Sequence, residues 1–283
     1  MKQRVIVLLP VHNRKAVTEK FIRLLLAQQH QLYKLVLIDD GSTDGTAAMV
    51  RSVLPNAVVI TGKGNWWWGG SLHQGYKWIK SNVHTPDDVV LIANDDIEFA
   101  ADYLCNALRF LQIHPNALLQ SQAYSKHTGQ LKDKGTFVNW KKLAFERAAN
   151  QQQINCLSTR GLFMKISTFL KVGGFHPVLL PHYISDYEFT IRAGRKGFML
   201  ATDECVRIVM DEQTTGIRTL QGVSAWNYLK RSFSKKAAVN PLFLTSFILL
   251  ACPVRFVPIN VLRVWRGFIH EMLESLKQKK AVY

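Results

Sequence analysis

Apolar runs alternate with amphipathic stretches along the first two thirds of the chain, and each early apolar run stops at a polar cluster. Val5 to Leu9 ends in Pro10-Val11-His12-Asn13-Arg14. Leu35 to Ile38 ends in Asp39-Asp40-Gly41-Ser42-Thr43-Asp44-Gly45. Ala57 to Ile60 gives way to Thr61-Gly62-Lys63-Gly64, and Val89 to Ala93 stops at Asn94-Asp95-Asp96. Short continuous runs rich in β-branched residues read as strands buried on both faces, the habit of parallel sheets. Between them, helices are expected from Thr18, as cap, to about Gln29, then over Ala47 to Val53, Ser71 to Asn82 and Asp102 to Ile113. In the first, Phe21, Leu24, Leu25 and Gln28 share a face. Strand and helix in alternation predict a doubly wound α/β sheet, whose ligands gather at the carboxyl ends of its strands. The polar clusters sit at those ends.

Further on, Leu118 to Tyr124 and Thr136 to Val138 flank a Lys126-His127-Thr128-Gly129 turn and suggest a hairpin. The polar stretch from Trp140 to Asn155 matches no element. Leu162 to Ile166 reads as a strand, Ser167 to Val172 as a short helix, and a further helix runs through Arg192 to about Lys196. Arg207 to Met210 is a last strand, ending at Asp211.

After about residue 215 the pattern changes. Arg218, Lys230, Arg231, Lys235, Lys236, Arg255, Arg263, Arg266, Lys277, Lys279 and Lys280 face only Glu271 and Glu274. Among them lies the apolar stretch Pro241 to Cys252, shorter than the ~20 residues a spanning helix needs. Extending it meets Pro253, Arg255 and Pro258. Apolar segments interleaved with basic residues suit an anionic membrane surface. A spanning helix, or helices packed on the core or in a homodimer, are the alternatives. The expected division is a catalytic domain over 1–220 and a helical, basic and apolar extension over 221–283.

Composition narrows the classes. A hydrophobic share of 48% is enough for a real core. A net charge of +16 calls for an anionic partner: nucleic acid, anionic lipid or a phosphorylated substrate. No helix-turn-helix, zinc or RNA-recognition pattern accompanies the charge, so nucleic acid is disfavoured. The four cysteines, Cys105, Cys156, Cys205 and Cys252, have neither metal nor disulfide-framework spacing, which fits a reducing compartment. The apolar run after Met1-Lys2-Gln3-Arg4 is too short for a signal peptide and lacks a cleavage site, so it reads as the first strand. A GxGxxG after that strand is missing, which argues against a dinucleotide enzyme.

The adjacent carboxylates Asp95 and Asp96 at a strand end are costly unless something positive compensates them. A divalent cation, Mg²⁺ or Mn²⁺, carrying a phosphorylated ligand is one answer. A polar turn capping the next helix is the other. Trp66-Trp67-Trp68, flanked by glycines, cannot all face a core from one strand, because side chains alternate. They read as a loop wall against a ligand, or as a plug on the sheet edge.

Taken together, VIVLLPVHNR (5–14), LVLIDDGSTDGT (35–46), GNWWWGGSLHQG (64–75), LIANDDIEF (91–99), LSTRGLFMKISTFLKVGGF (157–175) and SDYEFTIRAGRKGF (185–198) resemble the family 2 glycosyltransferases, which have the GT-A fold. The chain looks most like the bacterial rhamnosyltransferase-like subgroup of polysaccharide assembly. The resemblance implies a Rossmann-like, mostly parallel central sheet flanked by helices. It also implies an inverting enzyme that moves a sugar, hexosyl or rhamnosyl, from a dTDP- or UDP-linked donor to a lipid-linked glycan.

By that resemblance the donor lies against Pro10, His12, Asn13, Arg14, Asp39, Asp40, Asn65 and Asp95. Asp96 matches the last Asp of the family's metal-binding DxD motif. Asn94 stands where the motif often has its first Asp, and Asp211 near where many members carry a histidine. Asp186 matches the catalytic base. Arg160, Gly161, Trp67 and Trp68 border the acceptor. Glu188 is either an acceptor-side group or a structural partner for Arg192. A location on the cytoplasmic face of the plasma membrane follows from the carrier lipid. A catalytically silent sugar-nucleotide-binding module is the alternative function.

Overall fold

The computed structural model describes residues 3–211 and 225–280. Four parallel strands form the first half of the sheet: β1 (Val5–Val11), β2 (Tyr33–Asp39), β3 (Val58–Thr61) and β4 (Val89–Ile92), in the order β3-β2-β1-β4. Every residue of β1 and β4 is buried. Their alternate side chains feed two cores. Val5, Val7 and Leu9 meet Phe21, Ile22 and Leu25 of α1 (Lys15–Leu26) and Val50 of α2 (Thr46–Val53). Ile6 and Leu8 meet Leu72 and Ile79 of α3 (Trp67–Asn82) on the other face. Covering both faces is why these runs are continuous rather than alternating.

Beyond β4 the sheet becomes mixed. β10 (Leu162–Lys165) runs antiparallel to both β4 and β6 (Ala117–Ser125). β11 (Met199–Met210) runs parallel to β6, and β5 (Ile97–Glu98) pairs antiparallel with its end. α4 (Tyr103–Ile113) backs this half on one face; α5 (Ile166–Val172) and α6 (Ser185–Arg195) lie on the other.

Several expectations change. Thr18 does not cap α1; it is buried within it, and its hydroxyl donates to Asp95 at 2.9 Å. Trp67 and Trp68 are not loop residues but the first turn of α3. β6 forms its hairpin with β7 (Leu131–Asp133), while β8 (Thr136–Asn139) pairs with β9 (Ala144–Arg147), inside the stretch that matched no element. Its β9, Ala-Phe-Glu-Arg, is mostly exposed and too short to carry a readable alternation.

The extension consists of α7 (Ala225–Ser232), α8 (Pro241–Ala251) and α9 (Val257–Lys280). Asn240 caps α8 by accepting from Leu242 N–H at 3.0 Å, with Pro241 at the first helical position, where no N–H is needed. Phe247 and Ala251 bury against Leu180 and Ile191, so α8 packs on α6, and α9 packs on α8 through Val264. Among the described residues no helix is long and apolar enough to cross a membrane. The expected 220/221 boundary and Arg218 lie outside the described residues.

Candidate active site

The loops after β1 and β2 are stitched together before any ligand arrives. Asn13 adopts φ 52°; its N–H donates to Ser42 Oγ at 2.8 Å and its Oδ1 accepts from Thr43 N–H at 2.8 Å. His12 Nδ1 lies 2.7 Å from the Asp40 carbonyl. Pro10 lies within β1, opposite Ile38. The two aspartates expected at the nucleoside have different surroundings. Asp40 accepts four backbone N–H groups, from Gly64 at 2.9 Å, Asn65 at 3.1 Å, Trp66 at 2.8 Å and Trp67 at 3.0 Å. Both its oxygens therefore shape the glycine loop and the start of α3. Among the described residues, Asp39 Oδ1 accepts a single hydrogen bond, from Ser42 N–H at 2.8 Å. Asn65 is exposed on the loop that Asp40 holds.

At the end of β4, Arg14 Nε reaches Asp95 at 2.7 Å, and its Nη2 reaches Asp96 at 3.2 Å. Thr18 completes the shell of Asp95. Burial pushes the Asp95 carboxyl up, against the pull of Arg14 and the Thr18 hydroxyl. Arg14 and Asp95, both expected on the donor, are thus engaged with each other.

Just beyond Asp96, the β5–β11 register pairs Ile97 with Met210. Asp96 directly precedes Ile97 and Asp211 directly follows Met210, so both flank the last pair of this ladder. His127 Nε2 lies 3.0 Å from Asp211 Oδ1. This histidine is in the turn between β6 and β7, and nothing in its local sequence marks it. Among the described residues no group of three or more His, Cys, Asp or Glu side chains can hold an ion alone. A Mg²⁺-type ion usually keeps only one or two protein oxygens and takes the rest from phosphates and water.

Asp186 lies in the first turn of α6, entered through Ile184 at φ 58°. Burial raises its carboxyl to about 6, opposed by the backbone N–H groups of Tyr187 and Thr159 and by Arg160. Trp68 Nε1 donates to Thr159 Oγ1 at 3.1 Å, which ties α3 to the segment supporting Asp186. Trp67 sits 5.6 Å from the His182 ring, and Lys236 Nζ lies 5.4 Å from the Trp67 ring. The extension thus reaches the site through Lys236, a link no sequence spacing could show. Arg160 Nη1 lies 2.8 Å from Met210 Sδ.

Two acceptor candidates have structural contacts of their own. Glu188 is buried and grips Arg192 at 2.7 and 3.0 Å, which is the partner alternative. Gly161 has φ 72°, and a Cβ there would lie 2.6 Å from Ser121 Oγ and 2.7 Å from Tyr103 OH. Its lack of a side chain serves packing.

The sequence model of glycosyl transferase family 2 matches residues 6–168. No curated protein matches the chain in sequence. Among solved structures, the mannosyltransferase PcManGT from Pyrobaculum calidifontis, in complex with GDP-Man and Mn²⁺, is similar over 99% of this chain and 74% of that one, at 16% identity and TM-score 0.56. GalNAc-T7 with UDP, GalNAc and Mn²⁺ is similar over 98% of this chain and 58% of that one, at 12% identity and TM-score 0.61. S. aureus TarS 1–349 is similar over 97% and 83%, at 14% identity and TM-score 0.57. These likenesses are of fold.

Proposed function

Given that the chain belongs to glycosyl transferase family 2, we propose that it is an inverting transferase acting on a dTDP- or UDP-linked sugar, with a lipid-linked glycan as acceptor. The observation that carries this reading is Asp186, a carboxyl held at about 6 beside Arg160. A base must be ionised at working pH yet basic enough to take a proton, and a pKa near 6 satisfies both. The acceptor hydroxyl attacks the anomeric carbon while its proton passes to Asp186. The bond from that carbon to the donor phosphate breaks, and the nucleoside diphosphate leaves with the electron pair.

The loops after β1 and β2 hold the nucleoside, with Asp39 offering a carboxylate oxygen to a base N–H or ribose hydroxyl. Asp96 and Asp211 would hold a divalent metal, which supplies positive charge to the departing diphosphate. Arg14 fixes Asp96 and balances Asp95. The basic, partly apolar extension lies on an anionic membrane surface at the cytoplasmic face, close to the lipid carrier.

The test is a nucleotide panel (UDP, dTDP, GDP, CMP) read by calorimetry with and without Mn²⁺, followed by NMR of the product anomer. One diphosphate should bind more tightly with metal, and Asp96→Ala should weaken it. A folded protein that binds no nucleotide would overturn the reading.

A further inference from the structure

Thr159 is buried on the segment 157–161 that borders Asp186. Its neighbours on that segment are anchored to β6 and α6. Leu157 N–H donates to Thr190 Oγ1 at 3.0 Å, Ser158 N–H donates to Gln120 Oε1 at 2.7 Å, and the Gly161 carbonyl accepts Ser121 N–H at 2.9 Å. The Thr159 side chain is anchored from a different element. Its Oγ1 accepts the Trp68 indole N–H at 3.1 Å, from the first turn of α3. The backbone N–H of the same threonine donates to the Asp186 carboxylate.

Trp68 has little freedom of its own. Asp40 accepts the N–H groups of Trp66 and Trp67 just before it, and Gly69 N–H just after it donates to the Pro181 carbonyl at 2.9 Å. The Trp68 ring packs, partly buried, against the apolar core on the α3 side of the sheet. A phenylalanine would serve that packing equally. The indole differs by one N–H, which can only donate, and Thr159 Oγ1 accepts it. A reacting group keeps its geometry only when the residues touching it are themselves fixed.

We propose that Trp68 is a positioning residue for the base: its indole N–H fixes the Thr159 side chain, and with it the backbone N–H that Asp186 accepts. The inference rests on the transferase reading, in which Asp186 takes the acceptor proton. It makes the glycine loop held by Asp40 and the segment supporting Asp186 one assembly, joined through a single side chain. A hydrogen bond to the ionised form favours that form, so loosening it makes the carboxyl harder to ionise. Among the described residues the titratable and charged groups around Asp186 are Arg160, Cys156 and Tyr187, with Asp133 beyond them. Burial pushes the Cys156 thiol and the Tyr187 phenol up, so both stay neutral where Asp186 titrates.

The test is an NMR pH titration of the full chain with carbon-13 at its aspartate carboxyls, Asp186 being assigned by the signal lost in Asp186→Asn. The wild-type signal should titrate at about 6. In Trp68→Phe the midpoint should rise by about half a pH unit or more. Thr159→Val, which removes the accepting oxygen, should give the same rise, and Thr159→Ser, which keeps it, should stay within ~0.2 pH unit of wild type. Trp68→Phe combined with Thr159→Val should rise no further than either alone, because both break one contact. A packing role for Trp68 would leave the midpoint unmoved in Trp68→Phe and in Thr159→Val, and that result would overturn the proposal. So would a combined rise equal to the sum of the two. Calorimetry of the wild type with UDP, dTDP, GDP and CMP in Mn²⁺ tests the reading beneath it: binding of none overturns the transferase reading, whichever way the midpoints move.

Discussion

Arg14 Nε lies 2.7 and 3.0 Å from the two carboxylate oxygens of Asp95, and the same guanidinium reaches Asp96 Oδ2 at 3.2 Å. This contact joins the ends of β1 and β4, which are neighbours in the sheet. It also explains how two adjacent carboxylates persist at a strand end, since one cation serves both. Asp95 is 5% exposed and Arg14 37%. Removing the cation strands a buried carboxylate, but solvent around Arg14 softens the loss. Arg14→Met should therefore cost about 2 kcal/mol in urea unfolding, below the ~3–5 of a fully buried pair. Adding Asp95→Leu should return most of it. A single variant as stable as wild type would show that the pair contributes nothing.

Asp186 makes opposite predictions for activity and stability. Its folded carboxyl titrates near 6, above the usual carboxylate range. The folded protein therefore holds this proton where the unfolded chain has lost it. The associated stability is fully present below about pH 4 and is lost as pH rises through 6. At pH 7 the ionised carboxylate costs roughly 3 kcal/mol, from about two pKa units at ~1.4 kcal/mol each. Asp186→Asn should raise Tm at pH 7.5 and lose that advantage near pH 4. Transfer should fall at least ~100-fold, the usual contribution of a general base. In the wild type, kcat/KM should fall below pH 6. A flat pH profile, or an active Asn variant, would remove Asp186 as base.

The parallel half of the sheet was legible because its strands are buried on both faces and leave continuous apolar runs. Legibility failed where a residue's partner is distant in sequence. Nothing near Asp40 announces that its oxygens are taken by residues 64–67. Nor does His127 announce Asp211, or Lys236 announce Trp67, because each pair is made by strand register or helix docking. The tryptophan run was misread for a related reason. Gly69 must come close to the Leu180 carbonyl, where a Cβ would lie at 2.4 Å, so the glycines serve helix packing and not a loop. Family resemblance named Asp186, but only its surroundings give the carboxyl a reason to be basic.

The two adjacent aspartates after β2 should respond differently to the same change. Asp39→Asn keeps an oxygen for Ser42 N–H and should leave stability within ~0.5 kcal/mol. If Asp39 contacts the nucleoside, that variant weakens nucleotide binding about tenfold or more. Asp40→Asn places an amide NH₂ against two of the four N–H groups now bonded to the carboxylate. It should cost about 3 kcal/mol, since charge-assisted bonds are worth ~1.5–3 each. Thermal unfolding and calorimetry on both proteins check this. Equal loss of stability in the two would erase the distinction.

The outer face of α9 predicts where the protein resides. Ile259, Leu262, Ile269, Leu273 and Leu276 are between 43% and 62% exposed and follow a three-four spacing. Arg266 takes the position between Leu262 and Ile269. In a two-helix seam that arginine would be buried without a partner, at high cost. On a lipid surface its stem lies among the leucines while the guanidinium reaches a phosphate. Arg255 extends the basic flank and is worth ~1 kcal/mol near an anionic leaflet. The full chain should sediment with vesicles containing 30% (about one lipid in three) phosphatidylglycerol and not with pure phosphatidylcholine, and 0.5 M salt, roughly a 4 Å screening length, should release much of it. Leu262→Asp with Leu273→Asp should cut vesicle binding at least ~tenfold while leaving nucleotide affinity intact. Light scattering separates the alternative. If wild type is a dimer, the double variant is a monomer and vesicles bind neither, then α9 faces a second copy of the chain and not a membrane.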